Sequence, residues 1–147
     1  HLRVHSHPVG ECEMALFGTP ALAELHGVGF PDGLGDAPLL LPTRANALRG
    51  RLDHWFATRG LRPRIVGEFE DTALLMTFGR SGLGLFPAPA LLAGEIATQY
   101  GAVPVGEMTE VREQFYAITA ERRIRHPALE AMLAQSPDRA IRPATSS

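Results

Sequence analysis

The sequence of 147 residues contains no lysine: its 14 basic side chains other than histidine are all arginine, against 16 Asp and Glu. The formal charge is therefore −2, and no segment has the density of positive charge that binding along a phosphate backbone requires. We predict that this chain does not itself contact DNA or RNA.

The sequence also has a single cysteine, no long apolar run and nothing that resembles a leader at its start. Cys12 is the single cysteine, so no disulfide can form within the chain and nothing indicates an oxidising compartment. The apolar runs, such as residues 39–41, are far shorter than the roughly 20 residues that cross a bilayer, so no membrane partner is predicted. Residues 1–4 lack an initiator Met and resemble no signal peptide, which leads us to expect part of a longer cytoplasmic protein.

What is present is typical of a globular domain, with 45% hydrophobic and 20% charged residues. Gly and Pro divide the chain into short apolar strands and amphipathic helices that alternate. Strands are predicted at 14–18, 38–42, 64–69, 83–86, 103–105 and 115–119, and helices at 20–26, 43–60, 72–78, 89–101 and from 127 onward. Because most strands are apolar on both faces, we predict an α/β fold with a parallel or mixed sheet flanked by helices.

Ligands of such sheets bind beyond the carboxyl ends of the strands, where Thr43 and Arg44 begin the strongest helix. A hydroxyl, free backbone N–H groups and a guanidinium there would hold a carboxylate or a phosphate. The alternative is that Thr43 is a simple N-cap.

A second group of residues favours the opposite ligand charge. Period-2 alternation places Glu68 and Glu70 on one face of a strand, and Asp71 follows at a helix start, so that their oxygens could converge on a hard cation. The alternative is that Asp71 caps the helix and the glutamates are solvated or form ion pairs with Arg62 or Arg64. The sequence leaves the charge of the ligand open. No spacing typical of a Cys/His metal site, a nucleophile or an acid/base pair is present, so neither an enzyme nor a cofactor is predicted.

Several segments resemble the LysR-type transcriptional regulators, in their NhaR-like branch. The likeness covers most of residues 9–135 and is most specific at residues 67–71 and the helix that follows. The Gly82–Gly84 pair followed by Pro87 is the more general signature of the family. The segments that carry the branch-level likeness are 47–49, 52–56, 62–71, 73–74, 120–122 and 126–128.

The resemblance implies a periplasmic-binding-protein-like (type 2) effector domain, in which two α/β lobes with a mostly parallel sheet are joined by two crossing strands. Residues 13–112 would be the second lobe, 1–12 and 113–135 a partial first lobe with the crossing strands, and 136–147 a tail. A winged helix-turn-helix domain is expected upstream, and a homo-oligomer, dimer or tetramer, would contact DNA only through it.

By position, the resemblance also places Thr43, Arg44, Glu70, Asp71 and Pro87 at the effector cleft. It implies the effector-sensing domain of a regulator whose small effector is a cation or a small anion. The NhaR-like members are sodium-responsive activators of a sodium/proton antiporter gene, and on this ground Glu68, Glu70 and Asp71 are hypothetical cation ligands. A transporter's solute-binding protein with the same fold is the alternative, which an upstream export signal would identify.

Overall fold

The structure, a computed structural model, describes the backbone of residues 5–119 and the side chains of residues 10–113. Its strands are β1 (His5–Gly18), β2 (Pro38–Pro42), β3 (Arg64–Phe69), β4 (Phe86–Pro89) and β5 (Val103–Thr119). Its helices are α1 (Pro20–His26), α2 (Ala47–Thr58), α3 (Thr72–Arg80) and α4 (Ala93–Tyr100), with short 3-10 turns at Asp32–Leu34 and Ala90–Leu92. The predicted helix from residue 127, the resemblance segments at 120–122 and 126–128 and the tail at 136–147 lie outside the described residues.

The sheet is mixed, as predicted, and helices flank it. Strand β2 pairs with β3 in parallel, β1 lies between β4 and β5 in antiparallel pairing, and a parallel bridge between Leu39 and Leu85 joins the two groups. Most of the pairing in the described residues is antiparallel, rather than parallel as expected, because β1 and β5 pair from His5↔Thr119 to Gly18↔Val103.

Strand β5 is continuous where the sequence predicted two short strands. The ladder with β1 shifts register between Glu13 and Met14, whose partners on β5 are Arg112 and Met108. Met108 and Val111 are both buried, three positions apart rather than two, so the bulge breaks the alternation that marks a strand. A strand at 83–86 was also predicted, but β4 begins at Phe86.

Helix α2 begins later than predicted. Asn46 is its N-cap, with the side-chain oxygen accepting a hydrogen bond from the N–H of Leu48 at 2.9 Å. Thr43 lies in the preceding turn, where its carbonyl accepts from the N–H of Asn46 at 3.0 Å. The prediction that Asp71 caps α3 is confirmed, since its carboxylate accepts from the N–H of Ala73 at 2.9 Å.

Two apolar clusters cover the two faces of the sheet. Phe17 and Leu40 face α3 and α4, whereas their neighbours Leu16, Leu39 and Leu41 face α2. Each such side chain stabilises the fold by roughly 1.5–3 kcal/mol through burial. The two layers fix the carboxyl ends of β2 and β3 side by side, which is where the cleft opens. Within the part of the chain that is described, no helix has the length and apolar character to cross a membrane.

Candidate functional site

A cleft of about 410 Å³ opens beyond the carboxyl ends of β2 and β3 and along β4. The first turn of α2 contributes from one face of the sheet at this edge, and α3 and α4 contribute from the other. Such volumes are in the range of small-molecule sites. The lining residues are Met14, Pro42, Asn46, Leu48, Glu70, Asp71, Thr72, Ala73, Leu75, Met76, Pro87, Ala88, Pro89, Leu92, Glu95, Ile96, Gln99, Tyr100 and Glu113.

Of the residues predicted for the site, Glu70, Asp71 and Pro87 line this cleft. They do so because each directly follows or occupies a strand that ends at this edge. Thr43 and Arg44 are not in the lining. The Thr43 N–H donates to the carbonyl of Phe69 at 3.0 Å, and Arg44 is exposed.

Both helix starts at the cleft are already capped by their own side chains. The oxygen of Asn46 occupies the N-terminus of α2, and that of Asp71 occupies the N-terminus of α3. Each cap occupies one N–H group of its helix start, so a carboxylate or phosphate ligand would have to compete with it there. The grouping predicted to hold an anion at Thr43 and Arg44 therefore does not form, since α2 begins beyond both residues.

Glu68 is engaged by a buried arginine instead of lining the cleft. Arg49 is 2% exposed, and its guanidinium donates to Glu68 at 2.5 Å, to Asp53 at 2.9 Å and to the carbonyl of Pro42 at 2.9 Å. Burial opposes the charge of Arg49, but the hydrogen bonds that it donates to Glu68 and Asp53 outweigh this effect, so that the pKa of Arg49 is raised above its ordinary value.

These contacts correct two details of the sequence interpretation. The cation that pairs with Glu68 is Arg49, not Arg62 or Arg64. Glu68 is also held away from Glu70 and Asp71, so the three carboxylates do not converge. Among residues 10–113 no group of three or more His, Cys, Asp and Glu side chains is placed to hold a metal ion.

The charge of the cleft is of one sign. Four carboxylates line it, from Glu70, Asp71, Glu95 and Glu113, and no Arg or His is among the lining residues of the described part. Burial raises the pKa of Glu113, an effect that attraction to Arg51 partly opposes. The cleft therefore presents a negative potential to a ligand.

Sequence reasoning missed the lining residues that α4 and β5 supply. Glu95 and Gln99 are four positions apart in the predicted helix at 89–101, and this spacing places them on one face. That signal could have indicated a polar face, but not that it borders a cleft. No local sequence pattern indicates that Glu113 lines the cleft, because its position depends on the register of β5 against β1.

The sequence matches a known protein family over most of its length. The family model described as LysR substrate binding domain matches residues 1–140. The chain is 37% identical over 122 residues to the transcriptional activator protein NhaR of Escherichia coli (strain K12), and equally to that of Shigella flexneri. The match covers 83% of this chain and 40% of each relative, so the chain spans less than half of their length.

Solved structures of effector domains have the same fold. The effector binding domain of QuiR in complex with shikimate aligns with a TM-score of 0.59 at 17% identity, over 89% of this chain and 62% of that one. The effector domain of AmpR of Pseudomonas aeruginosa aligns with a TM-score of 0.57 at 20% identity, over 89% and 61%. At these identities the likeness shows the fold alone, and it confirms the periplasmic-binding-protein-like prediction.

Proposed function

This chain belongs to the LysR substrate binding domain family, and from that membership we propose that it is the effector-sensing part of an NhaR-like transcriptional regulator. A winged helix-turn-helix domain upstream would contact DNA, and the whole protein would work as a cytoplasmic homo-oligomer without catalysing a reaction. The match to NhaR over 122 residues favours this function over a transporter's solute-binding protein of the same fold.

The cleft at the ends of β2 and β3 is the observation that carries the proposal. Residues 13–112 would form the second lobe, and β1 and β5 would continue as the crossing strands into a first lobe. Both strands run unbroken through residues 12 and 113, which fits that division. A ligand in the cleft would change the DNA-bound state only through a difference in its affinity for two lobe arrangements.

A cation is the class of effector that the lining supports best. Four acidic residues line the cleft without a lining cation in the described part, and both helix starts are capped. An anion would meet repulsion there, whereas a cation would be attracted. Sodium, which the resemblance implies, is within this class.

The test is a double substitution, Glu70→Gln with Asp71→Asn, in the intact protein. Asn is as good an N-cap as Asp, so α3 should be retained while two charges are removed. We expect the sodium response of a reporter promoter to be lost and the affinity for DNA without sodium to be unchanged.

Glu107→Gln with Asp36→Asn is the matched control, since both of these carboxylates are exposed and outside the cleft lining. It should leave the response intact. A sodium response that survives in the cleft variant would contradict the proposal that Glu70 and Asp71 sense the cation.

A further inference from the structure

The walls of the cleft are mostly apolar, although its charged groups are all acidic. The lining includes Met14 of β1, Leu75 and Met76 of α3 and Ile96 of α4, which are buried in the two apolar clusters, and Tyr100, which is half-buried at the end of α4. A site built only for a hydrated ion would not need this wall, because apolar surface gains free energy when it is covered by apolar atoms.

We propose that the cleft binds an organic ammonium ion, a protonated amine on an apolar body of several carbons, in preference to a bare alkali-metal ion. The inference rests on the proposed function and specifies its ligand. The cavity of about 410 Å³ has room for such a molecule, and a single ion would leave most of it unfilled.

The arrangement of the carboxylates agrees with an ammonium group better than with a metal. A hard metal ion needs several oxygens together in one coordination shell, at about 2.3–2.6 Å in the case of Ca²⁺. No group of three or more candidate ligands is assembled in the described residues. An ammonium group, in contrast, is held by one or two carboxylates at hydrogen-bond distance. Glu70, Asp71 and Glu95 are among the lining residues and provide such partners.

The wall provides partners for the rest of the ligand. Thioether side chains such as those of Met14 and Met76 adapt to the shape of an apolar group. Tyr100, a half-buried residue of the lining, has a ring of the kind whose face attracts a cation. A carbon chain of intermediate length would therefore contact the wall while its ammonium group lies at the carboxylates.

The test measures binding of n-propyl-, n-butyl- and n-hexylammonium chloride to the intact protein by calorimetry, at constant ionic strength. Hexanoate and sodium chloride are the comparison ligands. We expect binding of the ammonium ions to tighten by roughly fourfold for each added methylene, the factor for burying one CH₂. Hexanoate should not bind, and sodium chloride should bind more weakly than n-hexylammonium.

Glu95→Gln should weaken binding of n-hexylammonium by about five- to tenfold, as loss of one nearby charge at a partly exposed site predicts. Glu107→Gln, outside the cleft lining, should leave it unchanged. An affinity that does not depend on chain length, or tighter binding of hexanoate, would overturn the proposal.

The outcomes also separate this inference from the proposed function. If sodium chloride alone binds and Glu70→Gln with Asp71→Asn abolishes the sodium response, the function stands and the organic ligand class is wrong. If n-hexylammonium binds as expected but the cleft variants leave regulation unchanged, the ligand class stands and the sensing function is wrong.

Discussion

Arg49 holds α2 to the strand ends that border the cleft, and its replacement gives a prediction that can be worked from the structure. In Arg49→Met the apolar stem is kept, but three hydrogen bonds are lost, to Glu68, Asp53 and the carbonyl of Pro42. Because these acceptors lie on α2, β3 and the end of β2, the loss should loosen the contact between helix and sheet.

The magnitude follows from the exposure of each partner. Pro42 is buried, so loss of the donor to its carbonyl costs about 1–3 kcal/mol. The side chains of Glu68 and Asp53 are 47% and 48% exposed, and water replaces much of each ion pair, so each adds only about 0.2–1 kcal/mol. We therefore expect Arg49→Met to lower the free energy of unfolding by about 2–4 kcal/mol.

Urea unfolding followed by the fluorescence of Trp55, the single tryptophan of the chain, measures this change. Arg80→Met is the control, because Arg80 is exposed on helix α3, and we expect a change of no more than about 0.5 kcal/mol. A double-mutant cycle with Glu68→Gln should give a coupling of about 1 kcal/mol. If Arg49→Met destabilises the chain by less than about 1 kcal/mol, the reasoning from buried acceptors is refuted.

Three further predictions concern the same fold. Burial raises the pKa of Glu113, so its protonation stabilises the folded chain below the ordinary carboxyl pKa, and this contribution is lost as the pH rises through the raised pKa. Glu113→Gln should then be more stable than the parent at neutral pH and lose that advantage on acidification, whereas an equal gain in thermal stability at every pH would contradict the assignment. Cys12 is buried, and this burial, with a smaller effect from the charge of Glu113, raises the pKa of its thiol to about 11. We therefore expect the thiol to react with iodoacetamide only after unfolding, and rapid labelling of the folded chain would contradict this. A Cβ at Gly79 would collide with the ring of Phe86, so Gly79→Ala should lower the free energy of unfolding by about 1–3 kcal/mol. Gly50 lies on α2 with open space around it, so Gly50→Ala should raise the free energy of unfolding by about 0.5–1 kcal/mol. Urea unfolding measures both changes, and two changes of the same sign would contradict this comparison.

Elements with local signals could be predicted from the sequence. The buried face of α2 follows from the spacing of Leu48, Leu52, Trp55 and Phe56, and the start of α3 from Asp71. These features depend on residues a few positions apart. The start of α2 was placed too early because Thr43 and Asn46 are both residue types that cap helices, and only the turn between them shows which one does so.

The partners of charged residues could not be predicted in the same way. Glu68 has Arg62 and Arg64 close to it in sequence, but its side chain points to the face that α2 covers, where Arg49 is buried. For the cleft, Glu70 and Pro87 follow from the rule that ligands lie beyond strand ends, and their contact with an effector stays a prediction. Glu95 required knowledge of how α4 packs on α3, which depends on contacts between distant segments.

The pairing of β1 with β5 has a consequence for the order in which the chain folds. Strand β1 pairs with β4 over residues 14–17, but its longer ladder is with β5, the last described strand, so this ladder requires closure of nearly all of the described chain. The unit from β2 through α2 and β3 to α3 contains contacts between near neighbours in sequence, and we expect it to form first. During synthesis β1 would emerge early and remain without its strand partners until β4 and then β5 follow, which exposes it to aggregation.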